Sequence, residues 1–326
     1  MITRRGLLTM SAASAAFSAV GLPPGLAQSL AKTVHILSGF TPGPQDAMAR
    51  LIAGQMRDYA ASIVVEPRPG ASGRIVVEAV KAADADGSVI LIAPLGFITL
   101  FPHVYKTLGY EPRDFASVST VASSPTLLTV GPKVPGDVRT LADFVAWCRV
   151  NPKHASYGTA GAGTTLHFIG ATLGRAAGFE FLHVPYQGGA PATQDLVKGE
   201  IASTVLPIVS SLGLVQSGDL RALATTGPRR SPFLPAVPTM AEAGYPSLED
   251  VTRTGFFVPA KTPTDIVEKL NRAIQAALRS DEVKLGLAKF AVEVESISMD
   301  DFARLLASES ERWKAIVQAT GFTPID

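Results

Sequence analysis

Cysteine is nearly absent. Cys148 is the one thiol among 326 residues, so no intramolecular disulfide can form. Charged residues make up only 17% of the chain, and no basic run is interleaved with aromatics, which argues against a nucleic-acid partner. No stretch of the mature chain reaches the ~18 unbroken apolar residues of a membrane span. The histidines at 35, 103, 154, 167 and 183 stand singly, without metal-ligand spacing. A G-x-S-x-G nucleophile elbow is missing too, because Gly70-Ala71-Ser72-Gly73 is one residue short. These absences speak against a zinc centre and a hydrolase triad, and no cofactor is expected.

What is present begins with an export signal. Arg4 and Arg5 precede a small, apolar stretch over 7–20, and Gly25-Leu26-Ala27 offers a cleavage site, so residues 1–27 read as a signal peptide. The run from Thr3 to Leu8 also resembles a twin-arginine signal, while a general secretory signal fits equally well. Removing 1–27 changes the net charge from +1 to −1 and leaves 299 residues, enough for one large or two medium domains. Without disulfides, such an exported chain depends on core burial. Cys148, beside Trp147, is expected in that core.

Two glycine-rich loops mark residues 156–199. The first is Gly158-Thr159-Ala160-Gly161-Ala162-Gly163-Thr164-Thr165, and the second is Pro185-Tyr186-Gln187-Gly188-Gly189-Ala190-Pro191. Glycine lets backbone approach a ligand closely, and a helix N-terminus adds unpaired donors and partial positive charge. The first loop has P-loop spacing, but Thr164 stands where the phosphate-binding lysine belongs; Leu166 breaks a dinucleotide fingerprint. A carboxylate is therefore the better anion. Read alone, each loop also fits an ordinary turn capping a helix. His167, next to the first loop, reads either as a ligand contact or as a hydrogen-bonded helix histidine.

Strand and helix patterns alternate along the chain. Strands are expected at 33–39, 62–66, 89–93, 127–130, 155–157, 181–184, 201–206, 220–225 and 255–259. Helices are expected from Asp46, and at 75–83, 140–150, 164–177, 192–198, 264–279 and 299–319, with a proline-rich connector at 227–238. That alternation predicts an α/β fold with largely parallel sheets, whose ligands sit at the carboxyl ends of strands. The loops at 40–46, 94–99, 158–165 and 185–191 all hold that position.

Further motifs then combine into a pattern. They include Gly39-Phe40-Thr41-Pro42-Gly43-Pro44-Gln45-Asp46, Glu66-Pro67-Arg68-Pro69-Gly70-Ala71-Ser72-Gly73, Tyr157 to Phe168, Val184 to Gly199 and Arg230 to Gly244. Together they resemble the periplasmic solute receptors of tripartite tricarboxylate transporters, the Bug or TctC-like family, over nearly the whole chain from Val34. The resemblance implies a two-lobed periplasmic binding protein (type II-like), each lobe a mostly parallel sheet flanked by helices. Residues 28–124 plus 251–326 would form one lobe, and 125–250 an inserted second lobe. It places Gly161, Gly163, Thr164 and Thr165 at a ligand carboxylate. Phe40, Gly43 and Asp46 would line the facing wall, with Tyr186, Gly188 and Ala190 alongside. It implies a monomer that delivers a small carboxylate to integral membrane transporter subunits. A sensory binding module is the alternative, and a secreted α/β enzyme a second one.

Two departures bear on specificity. The loop 94–99 carries Leu95 and Phe97, where many members have small or hydroxyl residues, and Leu206 aligns where many carry an acid. Phe97 and Leu206 at the site would favour a carboxylate with an apolar or aromatic body. The other reading makes Leu95, Phe97 and Leu206 core residues. Asp46 likewise reads as a first-turn helix residue whether or not it meets ligand.

Overall fold

The computed structural model describes residues 33–39 and 43–326. The signal expected at 1–27, and the site residue Phe40, lie outside the described residues. Strands are β1 (Val34–Ser38), β2 (Ile63–Pro67), β3 (Val89–Pro94), β4 (Phe115–Val130), β5 (Ser156–Thr159), β6 (Leu182–Pro185), β7 (Ser203–Pro207), β8 (Arg221–Thr225), β9 (Val251–Pro259) and β10 (Glu293–Val294). Helices are α1 (Pro44–Gly54), α2 (Arg74–Lys81), α3 (Gly96–Thr99), α4 (Phe101–Val104), α5 (Leu141–Val150), α6 (Thr165–Ala177), α7 (Gly189–Lys198), α8 (Leu212–Gln216), α9 (Thr264–Arg279), α10 (Asp281–Ala288) and α11 (Met299–Thr320).

Local chemistry explains many of these boundaries. Proline at the first position of α1 needs no N–H partner and presets the helical φ. The Thr140 hydroxyl accepts from the Asp143 amide while the Asp143 carboxylate accepts from the Thr140 amide, a reciprocal cap that starts α5. Gly178 and Gly199 close α6 and α7 in the left-handed conformation. Along α9, Val267, Leu270, Ile274 and Ala277 recur every three to four residues and are buried, so one face of the helix packs inward.

The strands run in the order β2-β1-β3-β9-β4-β7-β5-β6, with β8 and β10 also on β4. Two parallel triads lie at the ends of this path: β1 pairs with β2 and β3, and β5 pairs with β6 and β7. The long strands β4 and β9 add antiparallel pairing between them. The first part of β4, up to Pro125, pairs with β9; from Thr126 onward it pairs with β7 and β8. Proline lacks the ladder N–H, so it is tolerated where a strand changes partner. The change is stitched by hydrogen bonds: the Thr126 amide donates to Thr226 Oγ1 at 2.9 Å, the Thr226 amide to the Thr126 carbonyl, and the Asp250 amide to the Thr226 carbonyl.

Each triad carries its own core. Met48 and Ile52 of α1, Leu270 and Ile274 of α9, and Leu287 of α10 cover one face of β1-β3-β9; Val76 and Val80 of α2 and Phe302 of α11 cover the other. Phe144, Ile169 and Leu173 pack over Tyr157 and Val205 at the second triad. Cys148 is buried there, which pushes its thiol up to about 12 and leaves it unreactive.

Several expectations from sequence change in extent. The strand expected at 127–130 starts at Phe115, that at 255–259 starts at Val251, and the helix expected at 192–198 starts at Gly189. The stretch Ser117-Val118-Ser119-Thr120 has the small and hydroxyl residues of a loop, yet Ser119 and Thr120 are buried in β4. The hydroxyl of Ser119 is satisfied locally by the Thr120 carbonyl and by Gln275 Nε2 of α9.

Candidate functional site

The segments that follow the carboxyl ends of β3 and β5 approach each other. β1 and β3 end at Ser38 and Pro94; β5, β6 and β7 end at Thr159, Pro185 and Pro207. A Cβ built on Gly96, just after β3, would stand 3.2 Å from Thr165 Cγ2, just after β5. One built on Gly163 would stand 2.6 Å from Val104 Cγ1 of the opposite half. The first glycine loop therefore meets α3 and α4 across a seam.

The first glycine loop is tied internally. The Gly161 amide donates to Thr159 Oγ1 at 3.3 Å, and the Gly163 amide to His167 Nδ1 at 3.2 Å. Thr159 and Thr164 both donate their hydroxyls to the Gly161 carbonyl, at 3.0 and 2.9 Å. Thr164 is the N-cap of α6, accepting from the His167 amide. The Gly161 and Gly163 amides, the Gly161 carbonyl and the Thr164 hydroxyl are thus engaged within the loop. The amides of Thr165 and Leu166 have no acceptor among the described residues, so α6 presents two N–H donors at its positive end.

Beneath this loop two imidazoles stack. His167 and His183 lie with ring centroids 3.9 Å apart and planes 15° from parallel. His183 Nε2 meets Thr159 Oγ1 at 2.7 Å. Burial lowers His167 to about 4, and burial together with the neighbouring His167 lowers His183 to about 3. Both rings are neutral at pH 7. The sequence pattern leaves His167 as a ligand contact or a hydrogen-bonded helix residue; its partnership with His183, sixteen positions away, needs the β5–β6 register that sets Tyr157 beside His183.

The second loop runs alongside the first, since the Tyr186 amide donates to the Thr159 carbonyl. Gly188 has φ +107° and caps α7; the amides of Gly189 and Ala190 have no acceptor among the described residues. The Tyr186 hydroxyl donates to Asp195 Oδ2 at 3.0 Å, and burial, then that bond, push the phenol up to about 12. Leu206 is 1% exposed, with Cδ2 3.6 Å from the Cβ position of Gly189, so it forms the floor under that loop.

On the facing half, Gly43 caps α1. Asp46 lies in its first turn and is held by Arg50 through Nε at 2.8 Å and Nη2 at 3.2 Å, so its carboxylate has a partner within the helix. Phe97 is buried: its ring lies where a Gly73 side chain would go, 2.2 Å from that Cβ position, and stacks on Phe101 at 4.9 Å. Leu95 is 2% exposed. Phe97 and Leu95 are thus core residues behind the seam. Two residues not singled out by sequence stand here instead. Ser38 Oγ and Gln45 Oε1 are buried without a hydrogen-bond partner among the described residues. Burying such groups unpaired costs about 1–3 kcal/mol each, which a bound polar molecule would recover.

A separate cavity of about 300 Å³ lies beside the partner change of β4. Asp250, Arg253, Glu309 and Arg312 line it. Arg253 donates to Glu295 at 3.0 Å and to Glu309 at 3.1 Å, while Arg312 pairs with Asp250. Burial, then the charge of Asp250, raise Glu309 to about 7. No group of three metal-ligating side chains occurs among the described residues.

The profile of the tripartite tricarboxylate transporter family receptor, TctC, matches residues 48–322. Protein BugT of Bordetella pertussis is 34% identical over 301 residues, covering 89% of this chain and 90% of BugT. Among solved structures, an R. palustris protein with adipate is 34% identical, with TM-score 0.82, over 90% of this chain and 98% of that one. MatC from Rhodopseudomonas palustris with bound malate is 29% identical, with TM-score 0.78, over 87% and 98%. The chain belongs to the tripartite tricarboxylate transporter receptor family, whose members are solute receptors rather than enzymes.

Proposed function

We propose that this receptor binds a small carboxylate between its two halves and presents it to the membrane subunits of a tripartite transporter. The observation that carries the reading is the approach of the segments that follow β3 and β5, with the unpaired Thr165 and Leu166 amides at the seam. Hydrogen bonds to a charged group contribute about 1.5–3 kcal/mol each, so a few of them support micromolar affinity after association costs. Gly189 and Ala190 would add donors from the second loop, and Ser38 and Gln45 would meet the far end of the ligand.

The lobes we propose are 28–124 with 251–326, and 125–250, hinged where β4 and β9 pass between them. The acid we propose has an aliphatic body, and Leu206, 1% exposed beneath Gly189, supports the second loop from the core. Phe97, packed behind the seam, does not contribute to that preference. Adipate, bound by the R. palustris relative, has such a body; malate, bound by MatC, is shorter and more polar. We also propose export through residues 1–27 to the periplasm, where the chain works as a monomer.

Titration calorimetry on residues 28–326 tests this, with adipate, malate, citrate, aspartate and an aromatic acid as titrants. Saturable 1:1 binding of adipate with aspartate at least ten-fold weaker is expected. Binding of none of the acids would overturn the reading, and equal binding of aspartate and adipate would remove the apolar preference.

A further inference from the structure

We propose that His167 and His183 are positioning residues for the anion loop, acting as a stacked pair that ties up two of its glycine amides and so bears on which amides are left for a ligand. This role rests on the carboxylate-receptor reading above. Two glycine amides that a ligand would otherwise compete for are consumed by this pair: Gly163 donates to His167 Nδ1 directly, and Gly161 to Thr159 Oγ1, which His183 Nε2 holds.

The His167 tautomer follows from its amide partner, and that of His183 from the direction taken for the Thr159 hydroxyl. His167 Nδ1 accepts from an amide, so its proton sits on Nε2. Thr159 spends its hydroxyl proton on the Gly161 carbonyl at 3.0 Å, so the contact with His183 needs a proton on His183 Nε2. The relay runs from imidazole to hydroxyl to carbonyl and leaves the Gly161 and Gly163 amides turned into the loop. The amides of Ala160, Ala162, Thr164, Thr165 and Leu166, which have no acceptor among the described residues, are the ones left to the loop and the head of α6. The pair is also wedged from the other half, because Phe322 meets His167 edge-on at 5.5 Å and Phe168 at 5.1 Å. The loop is therefore referenced to the C-terminal segment of the opposite half as well as to its own.

The geometry dictates the test. His167→Asn places Oδ1 where Nδ1 was and keeps the acceptor. His167→Phe keeps the ring for stacking and loses the acceptor. At the second position, His183→Gln keeps a donor near Nε2, and His183→Leu does not. Amide hydrogen exchange of Gly161 and Gly163 is measured by NMR on residues 28–326 without ligand, beside calorimetry with adipate and malate and the melting temperature.

Exchange of Gly163 should rise at least ten-fold in His167→Phe and stay within three-fold in His167→Asn. Affinity for whichever acid the parent binds should fall at least ten-fold in the first and recover in the second, without tracking the melting temperature. Gly161 should respond in the same way to Leu against Gln at 183. Equal loss in both members of each pair, or unchanged glycine exchange in the Phe and Leu variants, would overturn the proposal. If the parent binds neither acid, the carboxylate reading fails on that count, and the exchange data alone decide the role of the histidines. If His167→Phe does not fold, the pair of variants at 183 decides the question by the same criteria.

Discussion

Gly96 lies close to Thr165: a Cβ built at position 96 would stand 3.2 Å from Thr165 Cγ2. The contact joins residues that follow β3 and β5, strands in different triads. It sets position 96 against the head of α6.

Gly96→Leu should therefore hold the halves apart. Gly96 has an ordinary negative φ at the start of α3, so the substitution carries no backbone strain. Affinity for adipate should fall at least ten-fold while the melting temperature of the unliganded protein moves by no more than a few degrees. Small-angle scattering should show the variant failing to contract on adding the acid. Parent-like affinity would show that this contact is not part of closure.

Thr164→Ala should cost about 1 kcal/mol of stability, the usual value of a hydroxyl N-cap. The lost bonds are to the His167 amide and the Gly161 carbonyl. Urea unfolding checks this, and Thr164→Ser should recover most of the loss.

Gly73→Ala should be more damaging. Gly73 has φ +93°, and its new methyl would lie 2.2 Å from the Phe97 ring. Overpacking of this kind typically costs about 1–3 kcal/mol, before the left-handed strain is added. The outcome is read as a lowered urea midpoint with unchanged slope.

Stability against pH has two opposed contributions. The histidines at 167 and 183 are lowered from 6.5 to about 4 and about 3, so the unfolded chain takes up protons first. Stability therefore falls as pH drops below about 6.5, at up to ~1.4 kcal/mol per pH unit for each site. Glu309 is raised from 4.5 to about 7, so its contribution is present below 4.5 and is lost as pH rises through 7. Glu309→Gln should gain on the parent between pH 5 and 8, and His183→Gln between pH 6 and 4.5. Unfolding of the three proteins at pH 4.5, 6 and 8 checks both signs; parallel pH curves would contradict them.

Much of the frame is legible in the sequence because it depends on local chemistry. The start and end of α9, the Thr164 cap and the Gly178 stop follow from periodicity and capping residues. The early half of β4 is hidden because Ser117, Ser119 and Thr120 resemble loop residues, and only pairing with β9 explains their burial. At the site, the sequence marks both glycine loops but not the bonds made within the first. Gly161 and Gly163 look like ligand amides because the acceptors that occupy them, Thr159 Oγ1 and His167 Nδ1, are set by loop geometry. Phe97 looks like a wall residue because the vacancy at Gly73 that admits its ring comes from another loop.

The most direct test is a crystal structure of residues 28–326 with the carboxylate giving the largest thermal shift. At about 100 times its dissociation constant, such a ligand should stabilise by ~2.7 kcal/mol. A carboxylate oxygen should lie within ~2.7–3.2 Å of the Thr165 and Leu166 amides, with the rest of the acid toward Ser38 and Gln45. A ligand seated instead beside Arg253 and Arg312, or clear of the seam, would contradict binding between the halves.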